Sequence, residues 1–259
     1  MKRDELNLRR DRIIALLSEN EALSARELSD CLSVSVQTIR ADLRDLDTAD
    51  LVQRRNGVAR LRQQSENIAY LPRKAASRLE KQRIALAVKN LVPDGARIAL
   101  GTGTTVEGCA RMLATRQDLF VATNSIPAVS ALQNAPGAVV ALAGGQVRLR
   151  DLDLIGTASL EFFSRYRVDL AIFSCGGICD SGQVLDYNTE ETAARKAITD
   201  CAKTRILVVD SAKFGLDLAC SMHSLWDYDI IVTQGEISPA IRARCADAGC
   251  RIVAPQDDA

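Results

Sequence analysis

The sequence has a single histidine, no tract of repetitive composition, no apolar run approaching a membrane span and no net charge. Each of these gaps excludes something. A spanning helix needs roughly 18 or more consecutive apolar residues, so no membrane segment and no membrane partner are expected. The stretch MKRDELNLRRDR at the amino terminus is charged, with no apolar core behind it. It does not read as a signal peptide, and the expected location is the cytoplasm. There the eight cysteines, at 31, 109, 175, 179, 201, 220, 245 and 250, are expected to be reduced thiols. Cys175 and Cys179 are the closest pair, but His223 stands alone and no CxxC repeats. No metal site and no cofactor are expected, and the cysteines read as small buried or half-buried residues. Balanced charge, 33 basic against 33 acidic residues, removes any argument that the whole molecule is drawn to polyanions.

What is present is an average globular composition over 259 residues, 47% hydrophobic and 25% charged, enough for one large domain or two ordinary ones. The first part reads as helices followed by a hairpin. Leu6, Ile13, Ile14, Leu16 and Leu17 recur at helical spacing over 6–19. Ser24-Ala25-Arg26-Glu27 has the form of a capping box, opening a short helix with Leu28 and Leu32 on its inner face. Ser33-Val34-Ser35 interrupts, and Ser35 is a good N-cap for the next helix. In that helix Ile39, Leu43 and Leu46 face inward. Gln37, Thr38, Arg40, Ala41 and Arg44 lie opposite, and several of these are side chains that reach base edges and phosphates.

Two short helices around a tight turn make a helix-turn-helix, whose second helix enters the major groove. Leu51–Arg55 then reads as a strand, Asn56-Gly57 as a hairpin turn and Val58–Arg62 as the return strand. Between Cys31 and Arg62 six arginines stand against four aspartates, and the arginines gather at the end. This predicts a winged helix-turn-helix over 1–62, with Ser35, Gln37, Thr38, Arg40, Arg44, Arg54, Arg55 and Asn56 as its contacts to double-stranded operator DNA. The competing reading is a small helical bundle with a solvated polar face.

Residues 63–80 are polar, carry Pro72 and the pair Arg73-Lys74, and read as a linker with a short helix. From Lys81 the pattern changes. Ile84, Leu86, Val88 and Leu91-Val92 mark a helix that Pro93-Asp94-Gly95 ends. Seven apolar runs follow: 97–100, 119–123, 139–143, 168–174, 205–210, 228–233 and 250–254. Helical patterns lie between most of them, at 105–114, 158–166, 190–202 and 238–247. Alternation of this kind predicts an α/β domain over 81–259 with a largely parallel sheet.

Ligands of open α/β sheets bind at the carboxyl ends of the strands, and the residues there are small or polar. Gly101-Thr102-Gly103-Thr104-Thr105 opens a helix after the first strand. Its glycines allow close backbone approach, and its hydroxyls and helix N–H groups can donate to an anion. It is neither a P-loop nor a dinucleotide fingerprint. Thr123-Asn124, Gly144-Gly145 with Arg148 and Arg150, Gly176-Gly177, and Lys213 end later strands. Glu191 can accept sugar or polyol hydroxyls, or pair with Arg195 one helical turn on. Together these residues outline an effector pocket.

Two sets of motifs also resemble the DeoR family of regulators. One is Val34-Ser35-x-x-Thr38-Ile39-Arg40-x-Asp42-Leu43-x-x-Leu46, followed by Arg55-x-Gly57-x-Ala59. The other is Gly101-x-Gly103-Thr104-Thr105, Thr123-Asn124, Gly144-Gly145, Asp169, Gly177-Ile178, Glu191 and Asp210-Ser211-x-Lys213-Phe214-Gly215. The likeness spans roughly 8–235. The family usually has a second basic residue at the place of Ala41 and a His-Gly-Gly wing at the place of Arg55-Asn56-Gly57-Val58; these departures bear on operator choice and wing contacts. The resemblance implies a sensor domain related in fold to ribose-5-phosphate isomerase. It also implies repression of a carbohydrate or polyol catabolic operon, relieved by a phosphorylated sugar or polyol. Gly145-x-Val147-Arg148-x-Arg150-Asp151, Leu185-Asp186-Tyr187 and Val208-Val209-Asp210 look most like the family's glycerol-3-phosphate regulators. One small DNA-binding unit reads only a half-site, so a homo-oligomer, dimer or tetramer, is expected. The alternative is a sugar-phosphate isomerase-like enzyme with an appended DNA-binding module, for which Glu191 as base and Lys213 as cation are the available pair. A regulator without catalytic residues is the expected function.

Overall fold

The computed structural model describes residues 6, 9–10, 12–14, 16–17, 20, 22–48, 51–55, 57–61 and 77–255. The chain separates into two units, Met1–Arg78 and Leu79–Ala259. Asn56 and most of the expected linker lie outside the described residues.

In the first unit the described residues between Leu6 and Leu17 are helical. A two-residue strand β1 (Leu23–Ser24) leads into helix α1 (Ala25–Leu32), which is followed by helix α2 (Val36–Thr48) and strands β2 (Val52–Arg55) and β3 (Val58–Leu61). The capping box forms as the spacing predicts: Ser24 Oγ accepts from Glu27 N at 3.2 Å, and Glu27 Oε2 accepts from Ser24 N at 2.7 Å. Ser33 turns the chain out of α1 in a left-handed conformation, φ 53°. β2 and β3 pair antiparallel with Arg55 opposite Val58, so the turn holds two residues, and Gly57 takes φ +81°. β1 adds a third strand by pairing with β3, Leu23 opposite Ala59. Two residues show no alternation, which is why this strand escapes sequence reading. Ile13, Leu17, Leu28, Ile39, Leu43, Leu46, Leu51, Val52 and Ala59 form the core. Each buried Leu or Ile contributes about 1.5–3 kcal/mol.

The second unit opens with helix α3 (Arg78–Leu91) and is built on one seven-stranded sheet. Its strands are β4 (Arg97–Leu100), β5 (Phe120–Thr123), β6 (Val139–Leu142), β9 (Val168–Phe173), β12 (Ala202–Val208), β14 (Ile230–Val232) and β15 (Arg251–Val253). Every neighbouring pair is parallel, and the order across the sheet is β15-β14-β12-β9-β4-β5-β6. All seven apolar runs of the sequence are in it. The chain lays down β4, β5 and β6 in one direction, then returns to place β9 on the other side of β4 and continues outward. The sheet therefore reverses between β4 and β9, the kind of position where α/β sheets open a crevice.

Helices cover both faces: α4 (Thr104–Leu113), α5 (Ile126–Ala131), α6 (Thr157–Ser164), α7 (Thr189–Asp200) and α8 (Pro239–Asp247). Side chains alternate between the two cores as the pleat requires. Ile98 and Leu100 join α3 and α4 on one face, while Ala99 faces Phe163, Phe173 and Ile198 on the other. Three features were not read from sequence. They are the six-residue α5, the hairpin β7 (Gln146–Arg148) and β8 (Asp153–Ile155), and a small antiparallel sheet of β10 (Gly177–Ile178), β11 (Gln183–Asp186) and β13 (Cys220–Ser224). All are too short to carry a hydrophobic period. Among the described residues, no helix is long and apolar enough to cross a membrane, and no group of three or more His, Cys, Asp or Glu is placed to hold a metal ion.

Candidate nucleic-acid interface and effector pocket

On α2 the buried Ile39, Leu43 and Leu46 fix the inward side. Gln37, Arg40, Ala41 and Arg44 stand exposed along the opposite side, and Thr38 is half-buried. Ser35 Oγ accepts from Thr38 N at 3.1 Å and lies 2.8 Å from Thr38 Oγ1, so both hydroxyls belong to the helix cap. Arg54 and Arg55 are exposed on the wing. The exposed row on α2 has the spacing of a groove-entering helix, and exposed arginines on the wing are side chains of the kind that contact phosphates.

Sequence reasoning missed what orients that helix. Asp42 is 1% exposed, and it accepts from Arg9 Nε at 2.5 Å and from Arg10 Nε at 3.1 Å. Arg10 also reaches Asp45. The signal was available: Asp42 sits three residues after Ile39 and four before Leu46, a carboxylate at core spacing, and a buried charge requires a partner.

In the second unit a pocket lies beyond the carboxyl ends of β4 and β5, walled by the start of α7 and by the β7–β8 hairpin. Thr102, Asn124, Arg148, Asp153, Ile155, Glu190, Glu191, Ala194, Arg195 and Ile198 line it. Four of the expected effector residues, Thr102, Asn124, Arg148 and Glu191, are therefore together. Beside Thr102, Gly103 caps α4 at φ +113° with no side-chain cap bond, and Thr104 and Thr105 form the first turn. First-turn N–H groups lack partners within the helix. Asn124 is fully buried; its Nδ2 donates to Leu154 O at 3.1 Å, and among the described residues its Oδ1 has no hydrogen-bond partner.

Other expected residues are placed differently. The Thr123 hydroxyl donates to Leu100 O at 2.8 Å and accepts from Ser125 N at 3.1 Å, tying β5 to β4. A Cβ on Gly101 would lie 2.9 Å from Phe173 Cβ, and one on Gly177 2.8 Å from Leu216 Cβ, so both admit close packing. Gly176 N donates to Leu185 O at 3.0 Å and Asp186 Oδ1 at 2.8 Å. Gly144 is exposed, while Gly145 takes φ +133° with its α-carbon against Ile155 O. Lys213 is half-buried in the turn Ser211–Lys213, which Glu80 holds by accepting from Ser211 N at 2.7 Å and Oγ at 2.8 Å. It is not among the residues lining the pocket.

The electrostatics centre on Arg148. Its guanidinium forks onto Asp153 at 3.0 and 2.8 Å, lies 3.3 Å from Asp151 and reaches Glu191 at 3.2 Å. Burial works against its charge, yet the Asp153 hydrogen bonds and the three carboxylates prevail and raise its pKa. Burial raises the Asp153 carboxyl; Arg148 opposes this, while Asp151 and Glu191 add to it. Glu191 lies 3.9 Å from Arg195, longer than its contact with Arg148. Arg195 instead closes on Asp186 and the Ser174 carbonyl, and burial pushes Asp186 up to about 7 despite that cation. Asp151, Asp153, Asp186 and Arg195 were not read as site residues.

Known proteins match across this arrangement. The model for the DeoR-like helix-turn-helix domain matches residues 9–65, and that for the DeoR C terminal sensor domain matches 77–235. The glycerol-3-phosphate regulon repressor of Escherichia coli is 35% identical over 225 residues, 87% of this chain and 89% of that protein. The HTH-type transcriptional repressor CsqR of the same organism is 30% identical over 253 residues, 98% of this chain and 97% of that protein. Ribose 5-phosphate isomerase A of Methanocaldococcus jannaschii overlaps 52% of this chain and 53% of its own at 20% identity, with a TM-score of 0.38, too slight a likeness to argue from.

Proposed function

Since the chain belongs to the DeoR family and is a DNA-binding transcriptional repressor, we propose that it silences a carbohydrate or polyol catabolic operon until a phosphorylated sugar or polyol binds its sensor domain. The observation that carries this is the pocket at the carboxyl ends of β4 and β5, where Thr102, Asn124, Arg148 and Glu191 meet beside the N-terminus of α4. The repressor works in the cytoplasm as a homo-oligomer, with DNA reading in 1–62, a linker over 63–80 and sensing in 81–259. Gln37, Arg40 and Arg44 read base edges; Ser35, Thr38, Arg54, Arg55 and Asn56 meet the phosphate backbone. The effector's phosphate lies against Thr102–Thr105, where backbone N–H groups and hydroxyls donate to it. Glycerol 3-phosphate is the first effector to test, because a relative sharing about a third of its residues is named for that regulon.

An effector shifts the protein off DNA only by its differential affinity for the two states. The test is fluorescence anisotropy with the protein's own promoter DNA at several salt concentrations, with and without glycerol 3-phosphate. A complex that weakens with salt and is released by the ligand supports the proposal. No complex at low salt refutes it. Catalysis gains no support from the pocket: Glu191 is held by Arg148 at 3.2 Å, and Lys213 does not line the cavity beside it.

A further inference from the structure

The wall of the pocket that faces the helix terminus is acidic. Arg148 is shared by Asp151, Asp153 and Glu191, whose side chains are 6%, 3% and 5% exposed. The second guanidinium, Arg195, is closed on Asp186. Exposed Glu190 stands at the same lining. Two cations thus meet four buried carboxylates, and neither is left for an anionic ligand. A phosphate or carboxylate that took Arg148 would strand at least one of these carboxylates in a buried place without its cation, an arrangement that strongly destabilises a protein. Hydroxyl groups meet no such obstacle, since they donate to carboxylate oxygens that already have cations. The second, independent observation is Asn124. Its amide is oriented by Nδ2 donating to Leu154 O, and its fully buried Oδ1 is left as an acceptor with no hydrogen-bond partner among the described residues. An acceptor of this kind matches a ligand O–H donor and repels an oxyanion.

We infer that Asn124, Asp153 and Glu191 form a hydroxyl-reading, anion-rejecting subsite, so that the effector is a monophosphate whose far end is a neutral polyol or sugar. This rests on the pocket being the effector site. It reverses the role that position alone suggests for Arg148: the arginine neutralises the wall and does not receive the phosphate. Bisphosphates and phosphorylated sugar acids are excluded by the same geometry.

The experiment titrates release of the full-length protein from operator DNA with three pairs of compounds, each differing by one anionic group away from the shared phosphate. The pairs are glycerol 3-phosphate against 3-phosphoglycerate, glucose 6-phosphate against 6-phosphogluconate, and fructose 1-phosphate against fructose 1,6-bisphosphate. In any pair that acts, the neutral-ended member is expected to be at least tenfold the more potent. Glu191→Gln and Asp153→Asn should each narrow that gap by threefold or more, by improving the anionic member. Both variants are first checked for wild-type operator affinity and a cooperative unfolding transition; Glu191→Gln lies outside the hairpin and remains informative if Asp153→Asn unfolds it. An anionic member as potent as its partner, or a gap unmoved in the folded variants, overturns the inference while leaving the effector site standing. Failure of all six compounds to release the protein overturns the effector reading itself.

Discussion

Replacing Asp42 by asparagine should loosen α2 from the amino-terminal helical segment that carries Arg9 and Arg10. The Asp42 carboxylate is buried, with guanidinium groups at 2.5 and 3.1 Å whose side chains are 22% and 23% exposed. Removing one partner from a buried pair typically costs about 3–5 kcal/mol. Asparagine keeps the shape and one acceptor oxygen, and water reaches both arginines, so about 2 kcal/mol is the better figure. A unit of this size has only roughly 3–10 kcal/mol in total. The loss amounts to about a thirtyfold change in its folding equilibrium and about 8–16 °C in melting temperature. The assay is calorimetry with and without operator DNA. The transition of the DNA-binding unit is the one that operator raises, since a ligand stabilises only the state it binds. That transition should fall in Asp42→Asn while the sensor transition stays. Operator binding should weaken at 37 °C, by no more than that thirtyfold, and recover at 10 °C. A melting point within 2 °C of wild type would refute the argument from packing. So would binding that stays weakened at 10 °C with the unit folded, because Asp42 would then act at the DNA itself.

Other consequences are as direct. Arg40→Ala should weaken operator binding about tenfold to hundredfold, the worth of a good base contact, with release by glycerol 3-phosphate unchanged; wild-type affinity would mean that α2 does not enter the groove. Arg54→Ala should lower the slope of log affinity against log salt by about one, as loss of a single phosphate contact does, and an unchanged slope would remove the wing from the interface. Gly145→Ala forces a side chain onto φ +133° and drives its Cβ into Ile155 O. It should destabilise the sensor unit by about 2–3 kcal/mol and blunt the effector response, because the hairpin carrying Arg148 starts there; unaltered melting and release would count against both. Burial lowers the pKa of His223 below the ordinary 6.5. The folded value lies below the unfolded one, so the stabilisation is present above about pH 6.5 and is lost as pH falls through the folded value. The lone imidazole should titrate below 6.5 by NMR, and His223→Gln should lose less stability than wild type between pH 7 and 5; a midpoint at or above 6.5 would contradict the burial.

The seven strands of the sheet were legible because each is a run of apolar residues between helical patterns, and burial on both faces demands such runs. The helix-turn-helix was legible because its caps are local: Ser24 with Glu27, and Ser35 with Thr38, need only three residues of sequence to form. The β7–β8 hairpin and the β10-β11-β13 sheet were not legible. Their strands run two to five residues, and what fixes them is distant: Leu154 N bonded to Asn124 O, Leu185 paired with both Gly177 and Ser221. Strand β12 begins at Ala202, earlier than its apolar run at 205, because Ala202 pairs with Val168 whatever its neighbours' polarity.

At the site, the sequence reading places Arg148 among the effector contacts, while the structure shows its guanidinium engaged by carboxylates. Residue type is visible in a sequence, and ion pairing across a hairpin is not. Asp151 and Asp153 stood three and five residues away, yet no helical or strand period placed them on the same side as Arg148. Glu191 had a local partner at helical spacing in Arg195, and the structure gives it a closer one from another element. On the proposed reading, those ion pairs change what the pocket selects. With Arg148 free, affinity would rise with each anionic group on the ligand. With Arg148 engaged by its carboxylates, the proposed reading leaves the anion to the Thr102–Thr105 end, and a second negative charge on the ligand would oppose binding. On the proposed reading, such a repressor would respond to one end of its effector by charge and to the other by hydroxyl count, and so would distinguish a neutral-ended phosphate from the acid or bisphosphate that lies one chemical step away.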